Sequence, residues 1–188
     1  MDSLNDNLLK RYIIRAHIPG HNDCLTEHEL GIIWETLCSQ QREKILFYDG
    51  QISSKEEFIQ FMQCDTNYVY VLMQAEMPLV FAWVNNFFGK CGMIHFTTFY
   101  NLEAENELNC LFLLRFLLFS QVGGEYCFDA LYGLTPKVYR HVLPFITKLG
   151  FRLVADIPSA IFFQKKGKKC PKSAVLSLVT RDTVNTLE

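Results

Sequence analysis

The chain has 188 residues, a formal net charge of −2 and 49% apolar residues. This length and composition are typical of one domain with a substantial core. Because a phosphate-binding surface needs a basic excess, the charge argues against a nucleic-acid partner. The most apolar run, 108–119, is shorter than the roughly 20 residues of a membrane span, and residues 1–10 carry no apolar stretch of a secretory signal. We therefore predict a cytoplasmic protein with no membrane partner.

The first part of the chain predicts one strand, two helices and a set of three strands. Runs of apolar and β-branched residues between turn residues predict strands over 12–18, 68–74, 79–85 and 92–99. Two helices are expected to begin where a hydroxyl residue precedes an acid by three positions, as in Thr26/Glu29 and Ser54/Glu57. A further, strongly apolar helix is predicted over 105–121.

The second part predicts a strand, a helix and two short closing strands. The strand is expected over 126–132, between glycines, and the helix over 138–149, where apolar residues recur at helical spacing. Pro144 lies inside that helix, which must either bend there or begin late. We favour a bend, because a late start leaves a very short helix. The closing strands are predicted over 152–158 and 159–164.

The segment Lys148-Leu149-Gly150-Phe151, between a helix and closing strands, resembles the GNAT superfamily, whose members use acyl-CoA to acylate amines. The order of elements over 12–164 is also similar to the GNAT order. The resemblance implies an α/β (α+β) domain with a central mixed, mostly antiparallel sheet of six to seven strands and helices on both faces. Together with His95-Phe96 and the Gly-Leu-Thr-Pro of 133–136, the segment looks closest to small acetyltransferase-like proteins of bacterial and phage genomes.

The ends of the chain fall outside this resemblance. Residues 1–11 are expected to form an N-terminal tail, and 165–188 a basic turn and a C-terminal tail. The lysines of 165–172 are typical of a solvated turn, although they are also compatible with contact to phosphate or lipid. The apolar run 175–179 predicts either an edge strand or a contact with a neighbouring subunit, and a homodimer is one assembly this allows.

The segment 100–107 departs from the family at the coenzyme pyrophosphate site. The family has Gln or Arg, two residues, Gly, one residue and Gly or Ala there, whereas this segment has three acids and no glycine. Acids repel a pyrophosphate at a helix start. Two functions are therefore open: an N-acyltransferase with a degenerate phosphate site, using acetyl-CoA or another acyl-CoA, or a non-catalytic binding or assembly module. Candidate coenzyme-binding residues are Thr98, Phe99, Tyr100, Asn101, Thr135 and Pro136.

Catalytic candidates come from the fourth and fifth strands and from the helix before Gly150. Counting back from that glycine, Tyr139 stands at the family's Asn position and Ile146 at its thiolate-protonating Tyr. His95 has an ordinary pKa near neutrality and is our candidate general base, with a structural histidine as the alternative. Asp129, on the next strand, is a candidate to orient it, although the sequence leaves the pairing register open. Tyr132 and Tyr139 are candidate proton donors to the thiolate, and the acceptor is a small-molecule or peptide amine.

The cysteines and histidines suggest no redox site and only a weak metal site. The seven cysteines include no CxxC pair, which is typical of free thiols in a reducing compartment. A zinc-like set occurs near the N-terminus: His17, His21, Cys24 and His28. Its spacing matches no common zinc motif, and Pro19-Gly20 interrupts it, so a polar loop is the preferred interpretation and we predict no metal.

Overall fold

The structure is a computed structural model that describes residues 12–22, 24–99, 103–165 and 167–186. Its strands are β1 (Tyr12–His17), β2 (Tyr68–Gln74), β3 (Met77–Phe88), β4 (Cys91–Thr98), β5 (Gln121–Val122), β6 (Glu125–Tyr126), β7 (Ala130–Pro136), β8 (Arg152–Lys165) and β9 (Lys168–Thr180). Its helices are α1 (Glu27–Ser39), α2 (Glu43–Leu46), α3 (Lys55–Met62), α4 (Glu103–Phe119), α5 (Val142–Lys148) and α6 (Arg181–Asn185), with a 3-10 turn at Lys137–Tyr139. Within these ranges no helix is both long and apolar enough to cross a membrane.

The strands form one seven-stranded sheet in the order β1-β2-β3-β4-β7-β9-β8, and β5 pairs separately with β6. Every neighbouring pair in the large sheet is antiparallel except β4 and β7, which are parallel. The predicted fold class, a mixed and mostly antiparallel sheet in one α/β domain, is confirmed. The single parallel pair lies in the middle of the sheet, where it decides the position of the candidate site.

Helices cover both faces of the sheet, as predicted. Alternate residues of β3 point to opposite sides, so Val80, Ala82 and Val84 pack with the buried leucines of α4, while Phe81 and Trp83 pack with α1 to α3. Strand β3 is therefore buried on both faces. Its near-continuous apolar sequence follows from this position.

The two predicted helix starts are present in the structure. Thr26 Oγ1 accepts a hydrogen bond from the Glu29 N–H at 3.2 Å, and the Glu29 carboxylate accepts from the Thr26 N–H at 2.8 Å. At α3, Ser54 Oγ accepts from the Glu57 N–H at 3.2 Å, but the Glu57 carboxylate accepts from the Ser53 N–H at 2.7 Å. At this second cap, the Glu57 carboxylate thus bonds the N–H of Ser53, one residue before the Ser54 that the capping-box spacing predicts.

The C-terminal segment lies inside the sheet rather than at an edge or on another subunit. Strand β9 pairs with β7 from Ala130↔Thr180 to Pro136↔Ala174 and with β8 along its other side. The two short strands predicted over 152–164 are one strand, β8, which shifts register between Ile157 and Ile161. The run 175–179 therefore lies between two strands of the sheet, and Val175, Ser177 and Val179 are buried there.

Two predicted elements begin later than expected. The expected strand over 126–132 is instead β7, from Ala130, because residues 125–126 turn back onto β5 around two glycines with positive φ, Gly123 and Gly124. The expected bend at Pro144 is wrong, since α5 begins at Val142. Pro144 thus lies in the first helical turn, where an N–H has no helical partner to lose.

Candidate functional site

The parallel strands β4 and β7 separate after three residue pairs. They pair at Cys91↔Ala130, Gly92↔Leu131 and Met93↔Tyr132. Beyond these pairs, β4 continues to Thr98 bonded to β3, and β7 continues to Pro136 bonded to β9. The facing edges of 94–98 and 133–136 line a cavity of about 380 Å³ between them. The divergence thus exposes main-chain N–H and C=O groups on both sides of an opening in the sheet.

Helices from both faces of the sheet complete the cavity wall. On one face the wall includes Arg42 and residues of α2. On the other it includes Asn106 of α4 together with apolar side chains of α5. The cavity therefore reaches both faces of the sheet at the divergence of β4 and β7.

His95 lines this cavity from β4 and is tightly held there. Its ring stacks on Trp83, with centroids 4.5 Å apart and planes at 4°. Its Nε2 lies 3.3 Å from Asn85 Oδ1. Burial lowers the pKa of His95 from 6.5 to about 4, because a charged imidazole is poorly solvated there. His95 is therefore neutral at neutral pH.

A chain of hydrogen bonds determines which ring nitrogen of His95 carries the proton. The Phe61 carbonyl can only accept, and it accepts from Asn67 Nδ2 at 2.6 Å. The Asn67 Oδ1 then accepts from Asn85 Nδ2 at 3.1 Å. Asn85 is left with its carbonyl oxygen towards His95, so Nε2 donates and Nδ1 keeps the free lone pair. Nothing in the spacing of Asn67 and Asn85 along the chain indicates this arrangement.

Two tyrosines lie together at the cavity. Tyr139, one of the predicted proton donors, lines it from the 3-10 turn. Tyr48, which the sequence analysis missed, lines it as well, and the two rings meet edge to face with centroids 6.4 Å apart. Burial raises the pKa of Tyr139, and burial with the nearby Asp49 and Tyr139 raises that of Tyr48 to about 12. Both phenols are therefore protonated donors at neutral pH.

Three other residues considered above lie elsewhere. The Tyr132 hydroxyl donates to the Asn86 carbonyl at 2.8 Å, at the closed end where β4 and β7 pair. Phe99 is 1% exposed and belongs to the core beneath α1 to α3, because the alternation of β4 turns it inward. Asp129, the candidate to orient His95, pairs with Arg181 at 2.9 Å. The structure therefore separates all three from the cavity.

Of the predicted coenzyme-binding residues, Thr98, Thr135 and Pro136 line the cavity. Tyr100 and Asn101 lie outside the described residues. At the start of α4, Glu105 is exposed, whereas Glu107 Oε1 lies 2.5 Å from Lys148 Nζ of α5. The repulsion expected between the acids of 100–107 and a pyrophosphate stays a prediction. At Glu107 the positive charge of Lys148 would reduce that repulsion.

In the histidine and cysteine set near β1, Cys24 bonds to main-chain carbonyls. Cys24 Sγ donates to the carbonyls of Ile18 and His21, at 3.3 and 3.1 Å. Among the described residues, no three His, Cys, Asp or Glu side chains come together in a group suited to hold a metal ion. The Cys24 contacts are those expected of a polar loop.

Solved structures share this architecture. The chain is similar to a chimera of the spermidine N-acetyltransferase SpeG from Vibrio cholerae and hSSAT (10% identity, TM-score 0.65, covering 94% of this chain and 99% of that one). It is also similar to RimL, the ribosomal L7/L12 alpha-N-protein acetyltransferase, in complex with coenzyme A (9%, TM-score 0.66, 92% and 96%). A third is AAC(6')-Ib in complex with paromomycin and acetyl-CoA (12%, TM-score 0.62, 92% and 96%).

The chain has the fold of the GNAT acetyltransferases, as its sequence predicts. No protein-family model and no curated protein matches the sequence. At these identities the likeness establishes the fold alone, and the activity has to be argued from the site.

Proposed function

We propose that this protein is an acyl-CoA-dependent N-acyltransferase that acts in the cavity between β4 and β7. The observation that carries the proposal is the divergence of these parallel strands after Met93↔Tyr132. Two main-chain edges face the opening, and a thin, amide-containing arm such as that of coenzyme A is able to bond to them. The cavity volume of about 380 Å³ is within the usual range of small-molecule sites. Two structures of the same fold contain coenzyme A or acetyl-CoA.

The residues of the cavity fit an acyl-CoA at its thioester arm. The backbone of 94–98 and 133–135 offers donors and acceptors, and Thr98 and Thr135 add hydroxyls beside them. Acetyl-CoA supplies an acyl group activated as a thioester. The chain itself has to orient the attacking amine and supply a proton to the departing sulfur.

His95 is proposed to orient the amine. Its Nδ1 lone pair accepts a hydrogen bond from the amine N–H, while Asn85 holds Nε2–H. Because burial keeps its pKa near 4, His95 is a weak base and does not store the proton released by the amine. This refines the role expected from the sequence, in which His95 takes that proton.

Tyr139 is proposed to protonate the sulfur as the carbon–sulfur bond breaks and the carbon–nitrogen bond forms. The nitrogen loses its proton to solvent, and the tyrosinate regains a proton from solvent, so that the products are an amide and a free thiol. It lines the cavity, and its phenol remains protonated at neutral pH. Since a phenol need only reach the sulfur by a hydrogen bond, Tyr139 is suited to replace the family tyrosine, whose position holds Ile146.

Thermal unfolding with acetyl-CoA and desulfo-CoA tests the proposal. Either ligand at about 100 times its Kd raises the unfolding free energy by about 2.7 kcal/mol, a clear rise in Tm. Gly133→Val is the matched control, because a Cβ at this position lies 3.5 Å from Ser177 Oγ and 3.8 Å from the Ile94 carbonyl, at the edge of the opening, and the larger side chain should abolish the rise. If neither ligand raises Tm at millimolar concentration, the proposal fails and the result favours the alternative of a non-catalytic module with this fold.

A further inference from the structure

We infer that the acceptor is a monoamine carried on an apolar or aromatic body, and not a polyamine or an aminoglycoside. The inference rests on the proposed function and adds the chemical class of the second substrate. It comes from the charge and shape of the cavity wall formed by α2, Tyr48 and the 3-10 turn.

This wall is apolar and aromatic. Ile45 and Leu46 line it from α2, and Tyr48 and Tyr139 line it beside them. Tyr48 is held in place by stacking on Phe163, with ring centroids 4.6 Å apart. A flat, rigid aromatic wall favours a substrate that has an apolar or aromatic body to lay against it.

Among the described residues, those that line the cavity offer no carboxylate to a polycation, since none of them is an aspartate or a glutamate. Three carboxylates near the cavity have partners: Glu107 with Lys148 at 2.5 Å, Asp156 with Lys137 at 2.5 Å, and Asp49 with the Gln51 N–H at 3.2 Å. Glu43, at the start of α2, buries its Oε2 without a hydrogen-bond partner in the described part of the chain.

A polyamine carries several ammonium groups, and each loses its hydration on entering such a site. That loss is recovered only if each charge finds an anionic or hydrogen-bonding partner. A monoamine with an apolar body brings one nitrogen, which is deprotonated for attack and bonded by His95. The wall therefore discriminates against extra positive charge rather than against amines in general.

The test compares acetyl transfer from acetyl-CoA to phenethylamine and to spermidine, measured as release of free thiol. We expect kcat/KM for phenethylamine to exceed that for spermidine at least tenfold, which corresponds to about 1.4 kcal/mol. Ile45 is 40% exposed, so its substitution is tolerated. Ile45→Glu should raise kcat/KM for spermidine several-fold, and Ile45→Gln, a neutral substitution of the same shape, should not.

The outcomes separate this inference from the proposed function. The acetyl-CoA thermal shift reports on coenzyme binding alone, and its absence overturns both. If acetyl-CoA binds but spermidine is used as well as phenethylamine, or neither amine is acetylated, the inference fails while coenzyme binding stands. A gain with spermidine that is equal in Ile45→Glu and Ile45→Gln also contradicts it, since charge is then not the cause.

Discussion

Asn85 presents its carbonyl oxygen to His95, with Oδ1 3.3 Å from Nε2. The orientation of Asn85 is set from outside the site, because the Phe61 carbonyl fixes Asn67 and Asn67 fixes Asn85. A main-chain acceptor in the last turn of α3 thereby decides the tautomer of a ring in the cavity. His95 is thus held ready to accept a hydrogen bond through Nδ1.

The first prediction concerns that tautomer. Nitrogen-15 NMR of the imidazole should show His95 neutral with the proton on Nε2. Asn85→Leu removes the acceptor and should give a mixture of tautomers, whereas Asn85→Asp keeps an oxygen there and should restore Nε2–H. This readout does not depend on activity. A wild-type ring protonated on Nδ1 would show that the hydrogen-bond chain has been misread.

The second prediction concerns stability at acidic pH. The pKa of His95 is about 4 in the folded protein against an ordinary 6.5, so between these values the unfolded chain binds a proton that the folded chain does not. The contribution of the neutral ring is complete above pH 6.5 and is lost as pH falls towards 4. The loss is on the order of 3 kcal/mol.

Urea unfolding at about pH 7 and pH 4 measures this loss. His95→Gln is the matched control, because glutamine does not titrate and can still donate to Asn85. Its unfolding free energy should fall less than that of the wild type. Equal losses in the two proteins would mean that His95 titrates normally and is more exposed to water than the structure shows.

The third prediction separates the two tyrosines expected from the sequence. Tyr139→Phe removes the hydroxyl at the cavity and should lower kcat about 100-fold, with little change in the KM for acetyl-CoA. Tyr132→Phe removes a hydroxyl that bonds the Asn86 carbonyl at the closed end of the strands. It should cost about 1 kcal/mol of stability and leave kcat unchanged. If Tyr132→Phe lowers kcat and Tyr139→Phe leaves it unchanged, Tyr132 and not Tyr139 is the proton donor.

The sequence predicts most of the fold because its signals are local. The helix starts at Thr26 and Ser54 and the strands of the central hairpin depend on neighbours along the chain. The placement of β9 in the sheet does not depend on such local signals, because β9 requires both β7 and β8 as partners. The apolar run 175–179 predicts a strand or a packing contact, but pairing across the sheet decides where that strand lies.

The site is only partly predictable for the same reason. His95 and Tyr139 can be proposed from their residue types and from their counts along the chain. Tyr48 precedes them by about fifty and ninety residues, and only tertiary packing brings it to the cavity. Similarly, Asp129 is on a suitable segment to orient His95, but the observed register gives it to Arg181.

The fourth prediction concerns the acids at the start of α4. If they weaken coenzyme binding, Glu105→Gln should lower the Kd for acetyl-CoA about twofold or more at low salt, and the difference should vanish near 1 M salt. Glu125→Gln is the control, because this exposed acid pairs with Lys90 at the closed end of the strands. An unchanged Kd for Glu105→Gln would show that the phosphates lie away from this helix start.

The central claim is that the facing edges of β4 and β7 hold an acyl-CoA. Titrating nitrogen-15 labelled protein with acetyl-CoA tests it most directly, since each backbone amide reports its own contacts. Amide resonances of 94–98 and 133–135 should shift first and furthest, while those of β1 should not move. Shifts confined to other parts of the chain, or none at millimolar acetyl-CoA, would contradict the account.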